Sequence, residues 1–165
     1  MMENIEVANE ERLGKGMKIT KYDVEERYLI YNKKYFEEKL PKIHFSTYIG
    51  KGAYGVCTYN PHNKWKSKIE IARNVDWSEA DFESTVIHEM VHLYLDIYDP
   101  RYRGKNPLYN RSHGRLFKQQ GRHFKELGID IISKPKSKLI LSENRRKFNS
   151  RFVQALYDWV YIHIL

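Results

Sequence analysis

The sequence contains a single cysteine, Cys57. An internal disulfide, a CxxC redox pair and a Cys-rich structural zinc knuckle are all excluded by that count. No run of about 18 apolar residues is present, as a membrane-spanning helix requires, and the acidic opening MMENIEVANEERLGKG lacks the apolar core of a secretion signal. These absences predict a cytoplasmic protein that is not secreted, nucleoid-associated if its source is bacterial. Negative charge is scarce in one part only. Residues 1–99 carry 14 Lys/Arg against 17 Asp/Glu, residues 100–165 carry 15 against 4, and the overall +8 therefore divides into −3 and +11. Clustered cations of this kind suit a polyanionic partner such as nucleic acid, by neutralising phosphates and releasing counterions, or they serve only as solvated charge.

What is present suffices for one domain. A chain of 165 residues, 41% hydrophobic and carrying 13 Tyr, 7 Phe and 3 Trp, can bury a core without staples. Residues 1–19 are polar and aperiodic and read as a flexible arm. From Thr20, a candidate N-cap, Val24, Tyr28, Tyr31 and Tyr35 step by four, three and four along one helix face, and the helix is expected to end at Pro41. KIHFSTY (42–48), AYGVCTYN (53–60) and SKIEIARN (67–74) read as strands separated by turn formers, and the spacing predicts a three-stranded antiparallel meander. Ser78 with Asp81 marks the start of a second helix over about 79–96, apolar on most of its circumference and hence central. Residues 97–111 read as a surface loop, and a third helix runs from about Ser112 to Leu127, ending at Gly128. The folded domain is thus expected over 20–128, with a basic extension over 129–165 whose RFVQALYDWVYIHIL segment fits helix or strand. The fold class is α+β.

The polar exceptions in the central helix carry chemistry. His88, Glu89 and His92 spell HEMVH, and positions four apart on a helix lie on one face, so both imidazoles can reach one ion while Glu89 points toward water beside it. Zinc held there lowers the pKa of water toward about 7 and polarises a scissile carbonyl, with the glutamate taking the proton. Two core histidines beside a salt-bridged glutamate are the bland alternative, but an unpartnered buried carboxylate costs several kcal/mol. A catalytic zinc normally has three protein ligands and one open position. Candidates for the third are Asp96 one turn on, Glu126 and the remaining histidines. His113 stands out, 21 residues after His92 at the start of the next helix, whereas His123 points about 280° round that helix from it. Asp96 is alternatively a partner that fixes the tautomer of a ligand imidazole, or a surface carboxylate. Strand 67–74, just before the metal helix, is a candidate edge for an extended substrate.

GVCTY (55–59), HEMVH (88–92) and SHGRLF (112–117), in that order, together with YNKKYFEEKLP (31–41), resemble the SprT-like family of zinc metallopeptidases, which includes the Spartan-type proteases. The likeness covers roughly residues 22–127. It implies a zincin-like metallopeptidase domain with a helix beside a three-stranded sheet and the HExxH helix beneath it. His113, the histidine of the family's HG-x-x-F, becomes the third ligand. It further implies cleavage of proteins bound or crosslinked to DNA, with single-stranded DNA preferred. The chain departs from members that end in a Cys-rich zinc ribbon, since Cys57 alone cannot build one.

For DNA, the densest cationic run is Arg101, Arg103, Lys105, Arg111, Arg115, Lys118, Arg122 and Lys125, interleaved with Tyr102, Tyr109 and Phe124. Cations for phosphates beside rings for stacking are the equipment of single-strand binders. Phe117 and Phe124, seven apart, are however expected to face the core, and Arg115, Lys118, Arg122 and Lys125, at spacings of three and four, read as a solvated helix face first and a phosphate-binding face second. A second run, Lys134, Lys136, Lys138, Arg145, Arg146 and Lys147, extends it. Two competing readings stand beside a DNA-associated zinc protease: a nucleic-acid-binding module with a structural or inert metal site, and a zinc peptidase whose protein target has nothing to do with DNA.

Overall fold

The computed structural model describes residues 16–63, 66–104 and 112–140. In chain order its elements are α1 (Lys21–Tyr35), β1 (His44–Tyr48), β2 (Gly55–Thr58), β3 (Lys68–Ala72), α2 (Glu79–Tyr98) and α3 (Arg115–Glu126). The first 15 residues, Lys105, Arg111 and everything after Ile140, including Arg145, Arg146, Lys147 and RFVQALYDWVYIHIL, lie outside the described residues. Ahead of α1, Met17 donates its amide to the Trp77 carbonyl at 2.9 Å and Ile19 is buried.

Thr20 caps α1 reciprocally: its hydroxyl accepts from the Asp23 amide, and Asp23 Oδ2 accepts from the Thr20 amide at 2.7 Å. The helix ends at Tyr35, earlier than the Pro41 its periodicity predicts. Glu37 and Glu38 turn the chain out with left-handed φ values of 52° and 58°, a conformation that costs about 1–2 kcal/mol per non-glycine residue. The buried Asn32 side chain offsets that cost by donating to the Leu40 carbonyl at 2.9 Å and accepting from the Leu40 amide at 3.1 Å.

The sheet is mixed, with order β1-β3-β2, and not the antiparallel meander the turn signals predict. β1 runs parallel to β3, from His44 opposite Lys68 to Tyr48 opposite Ala72, while β2 runs antiparallel to β3 from Gly55 opposite Ile71 to Thr58 opposite Lys68. β3 takes the centre because it is the most apolar strand: Ile69, Ile71 and Ala72 have no exposed surface. The connection from β1 to β2 passes over the end of β3, where Asn74 accepts from the Gly50 amide at 2.6 Å and donates to the Gly50 carbonyl at 3.0 Å. With both sides of β3 paired, the 67–74 segment cannot accept a further strand; the free edge beside the central helix belongs to β2.

α2 starts at Ser78, whose hydroxyl accepts from the Asp81 amide at 3.2 Å. It buries Phe82, Val86, Ile87, Met90, Val91, Leu93 and Leu95 between the sheet, α1 and α3. Behind the site, Phe36 and Tyr35 of the α1 end pack on Phe124 of α3 at ring separations of 5.8 and 5.6 Å. Among the described residues no helix is long and apolar enough to cross a membrane.

After α3, residues 129–140 fold back as a strap. Ile131 is buried, Val75 bridges to Leu139, and the Tyr54 hydroxyl donates to the Ser137 carbonyl at 2.9 Å. Asp81 Oδ2 accepts from both the amide and the hydroxyl of Ser137, each at 2.7 Å. Burial raises the proton affinity of this carboxyl, but the Ser137 hydrogen bonds outweigh it and hold the group below its ordinary range. The folded value lies under the unfolded one, so the stability this contact contributes is present above about pH 4 and is lost as pH falls through the folded value. Asp81→Asn should therefore cost about 1 kcal/mol at pH 7 after allowance for solvent screening of a partly exposed carboxylate, or roughly 2–4 °C in Tm. Thermal denaturation should show the gap closing below pH about 4; a gap of constant size through acid would contradict the assignment.

Candidate metal centre

α2 places His88 and His92 one turn apart on the face that looks toward the start of α3. His113 comes from the opposite side. It lies ahead of α3 and not within it, because Gly114 is the N-cap and the helix begins at Arg115, three residues later than the sequence pattern predicts. The three Nε2 atoms converge: His88 to His113 is 3.0 Å, His92 to His88 3.1 Å and His92 to His113 3.1 Å. Phe117, one turn into α3, supports all three rings. It stacks on His92 at 4.5 Å and 27°, and lies 4.7 Å from the His88 ring and 4.9 Å from the His113 ring.

Hydrogen bonding settles which ring nitrogens carry protons. His88 Nδ1 lies 2.7 Å from the Ile131 carbonyl, which can only accept, so Nδ1–H donates and the lone pair sits on Nε2. His92 Nδ1 lies 2.7 Å from the Tyr102 hydroxyl. That hydroxyl has one hydrogen and donates it to the Ser112 carbonyl at 3.0 Å, so toward His92 it can only accept. His92 is thereby fixed as the same tautomer. Burial lowers the pKa of His88; burial, together with the neighbouring imidazoles, lowers that of His92 to about 3, and burial lowers that of His113. The rings are neutral near pH 7.

Two nitrogen lone pairs therefore face each other at 3.1 Å with no hydrogen between them, an arrangement that a cation reconciles. Zn–N bonds of about 2.0–2.1 Å at a tetrahedral angle place nitrogens about 3.3 Å apart, close to the separations found. His88, His92 and His113 could hold one metal ion, and their ligand atoms all lie within 4.8 Å of one another. Nitrogen donors without sulfur fit zinc and equally its neighbours among the divalent transition metals.

Glu89 is 5% exposed and lies against β2. A Cβ on Gly55 would meet its Oε1 at 2.6 Å, so glycine is what allows strand and carboxyl to approach. Burial pushes the Glu89 carboxyl up to about 8, partly countered by a hydrogen bond from the Cys57 backbone. Burial likewise raises the Cys57 thiol, which packs against the core as a protonated, unreactive side chain.

Other residues singled out in the sequence lie elsewhere. Asp96 touches neither imidazole; its Oδ1 accepts from Arg103 Nε at 2.7 Å, and the orienting role belongs to Tyr102 and the Ile131 carbonyl. The cationic run divides. Arg101 grips Asp99 through Nε and a terminal nitrogen at 2.9 and 2.6 Å, and Arg103 lies over the Tyr59 ring at 4.4 Å besides pairing with Asp96. Arg115, Lys118, Arg122 and Lys125 stand exposed along α3, opposite its buried Leu116, Phe117, Gly121 and Phe124. Tyr102 is buried and cannot stack on a base, Phe117 and Phe124 face the core as their spacing predicts, and Tyr109 lies outside the described residues.

Nothing in the sequence marks the Ile131 carbonyl, 43 residues from its partner. Tyr102 carried a signal of another kind, as one aromatic in a basic loop. Removing its hydroxyl should unfasten His92 and the Ser112–His113 turn together. Tyr102→Phe keeps the ring and should weaken zinc binding by about 10- to 100-fold; a chelator-competition Kd equal to that of the native chain would contradict the arrangement.

A sequence model of the SprT-like family matches residues 24–138. No curated protein sequence is significantly similar to the chain. The matched span holds the sheet, α2, α3, α1 from Val24 onward, the imidazole cluster and most of the strap, and the chain belongs to the SprT-like family, whose domains are zinc metallopeptidase-like.

Proposed function

We propose that the chain is a zinc-dependent endopeptidase of zincin type that acts on DNA-bound or DNA-crosslinked proteins in the cytoplasm. The observation that carries the reading is the convergence of three neutral imidazole nitrogens within about 3 Å beside a buried carboxyl. A site that only stabilised the fold would have no use for a buried carboxyl that has no cationic partner among the described residues.

His88, His92 and His113 would hold the zinc. When bound, zinc would polarise the scissile carbonyl and acidify an adjacent water. Glu89 takes the proton of the attacking water and passes it to the leaving nitrogen as the C–N bond breaks, which yields a carboxylate and a free amine. Burial raises its proton affinity, and a cation at the imidazoles would favour the carboxylate that takes up the proton. The peptide lies extended along the free edge of β2, whose Gly55–Thr58 backbone borders Glu89.

DNA engages the exposed face of α3. Arg115, Lys118, Arg122 and Lys125 recur at spacings of three and four, and the helix that carries them begins two residues after His113. A strand of phosphates on that face delivers its bound protein to the metal. Lys134, Lys136 and Lys138 on the strap, all exposed, continue the cationic surface. Single-stranded DNA is the expected form.

The test is cleavage of a basic DNA-binding protein by the zinc-loaded chain, with and without single-stranded DNA. DNA should accelerate cleavage and a chelator should stop it. Glu89→Gln should retain zinc and lose about 10²- to 10⁴-fold in rate. Equal rates for the Gln variant would contradict the general-base role, and rates indifferent to DNA would favour a protein target unrelated to DNA.

A further inference from the structure

A cavity of about 310 Å³ opens beside the imidazoles and shares His88, Glu89 and His113 with them. Its apolar walls include Tyr54 before β2, Phe117 of α3, and Ile131 and Pro135 of the strap. Because it adjoins the carboxyl and the ligands, whatever fills it belongs to a residue flanking the bond under attack. The walls are mostly aliphatic and aromatic. Ser84, Thr85 and Ser133 also border it; their hydroxyl hydrogens are donated to the Asp81 carbonyl, at 3.1 and 2.7 Å, and to Asp130 Oδ2 at 2.6 Å, so each offers an oxygen lone pair but no charge.

Charge at the mouth has one sign. Lys118 and Lys134 line it. Lys134 lies 5.9 Å from the centre of the Tyr54 ring, and neither ammonium pairs with a carboxylate among the described residues. Glu89 is the one carboxyl in the lining, and the reaction needs it. A cationic side chain entering here would be desolvated against apolar walls, between two like charges, without a counterion.

We infer that this cavity selects the side chain next to the cut: it takes an apolar side chain of leucine, methionine or phenylalanine size and rejects lysine and arginine. The inference rests on the peptidase reading and narrows it. A Lys- and Arg-rich DNA-binding protein would then be cut at its interspersed apolar residues and not within its basic runs.

The test uses the zinc-loaded full chain and four hydroxamates, which bind zinc directly, carrying benzyl, isobutyl, aminobutyl or carboxyethyl side chains, with Kd values from calorimetry. Benzyl and isobutyl should bind at least about 10-fold more tightly than aminobutyl, in the range a pocket of this kind discriminates. Lys134→Glu should narrow that gap several-fold by tightening aminobutyl. Equal affinities, tightest binding by either charged compound, failure of all four to bind, or a gap unchanged in Lys134→Glu would overturn the inference. A chain that ranks the compounds as expected yet cuts no protein would refute the peptidase reading and uphold the pocket. Mapped cuts with no apolar residue favoured on either side would do the reverse.

Discussion

Three nitrogen atoms held about 3 Å apart in one small volume are the constraint on which the rest of this structure turns. Imidazoles do not gather in this way for their own stability: near neutral pH His88 and His92 present lone pairs to each other, and at lower pH the three rings would present like charges. Burial disfavours the charged form of all three. The cluster is therefore held together by its surroundings. Phe117 packs against every ring, the Ile131 carbonyl and the Tyr102 hydroxyl each receive one Nδ1–H, and the same hydroxyl ties down the Ser112 carbonyl next to His113. Preorganisation of this kind moves the ordering cost from metal binding to folding.

The fold supplies those surroundings from distant parts of the chain. α1 and the core it shares with α3 set the distance between α2 and the turn that carries His113, through Tyr35, Phe36 and Phe124. The strap contributes both the carbonyl that orients His88 and a wall of the adjoining cavity, and Asp81 and Asn74 pin it down through Ser137 and Ile140. Glu89 adds its own demand. Burial alone favours the protonated, uncharged form of this carboxyl, whereas a cation at the imidazoles favours the carboxylate. With a cation beside it, such a group becomes the carboxylate that can accept a proton.

Much of this was legible in the sequence, for identifiable reasons. The HEMVH face of α2 follows from helical periodicity in an apolar helix, and the Thr20 and Ser78 caps follow from the local chemistry of helix starts. The sheet order was not, because GKG between the first two strands looks like a hairpin turn. The apolarity that makes β3 central is a tertiary preference for burial, which turn residues do not report. That misreading also misplaced the open edge, which lies on β2. Asp96 sits one turn from His92 and was a natural partner for it on a bare helix; Arg103, brought back by the turn after Asp99, takes the carboxylate instead. The part of the cationic run in the loop is locally neutralised at Arg101 and Arg103 by carboxylates two and seven residues away. Among the described residues no carboxylate forms a salt bridge with Arg115, Lys118, Arg122 or Lys125, so the α3 face keeps its charge.

Charge and chemistry thus meet at one short segment, where α3 begins beside His113 and carries cations outward from it. Whether that junction is an enzyme depends first on the ion. X-ray absorption at the zinc edge on the reconstituted chain is the most direct measurement: the account predicts one zinc per chain with three imidazole nitrogens at about 2.0–2.1 Å and one exchangeable oxygen ligand. A spectrum showing a sulfur ligand, only two imidazoles, or an unaltered first shell in His113→Ala would contradict it.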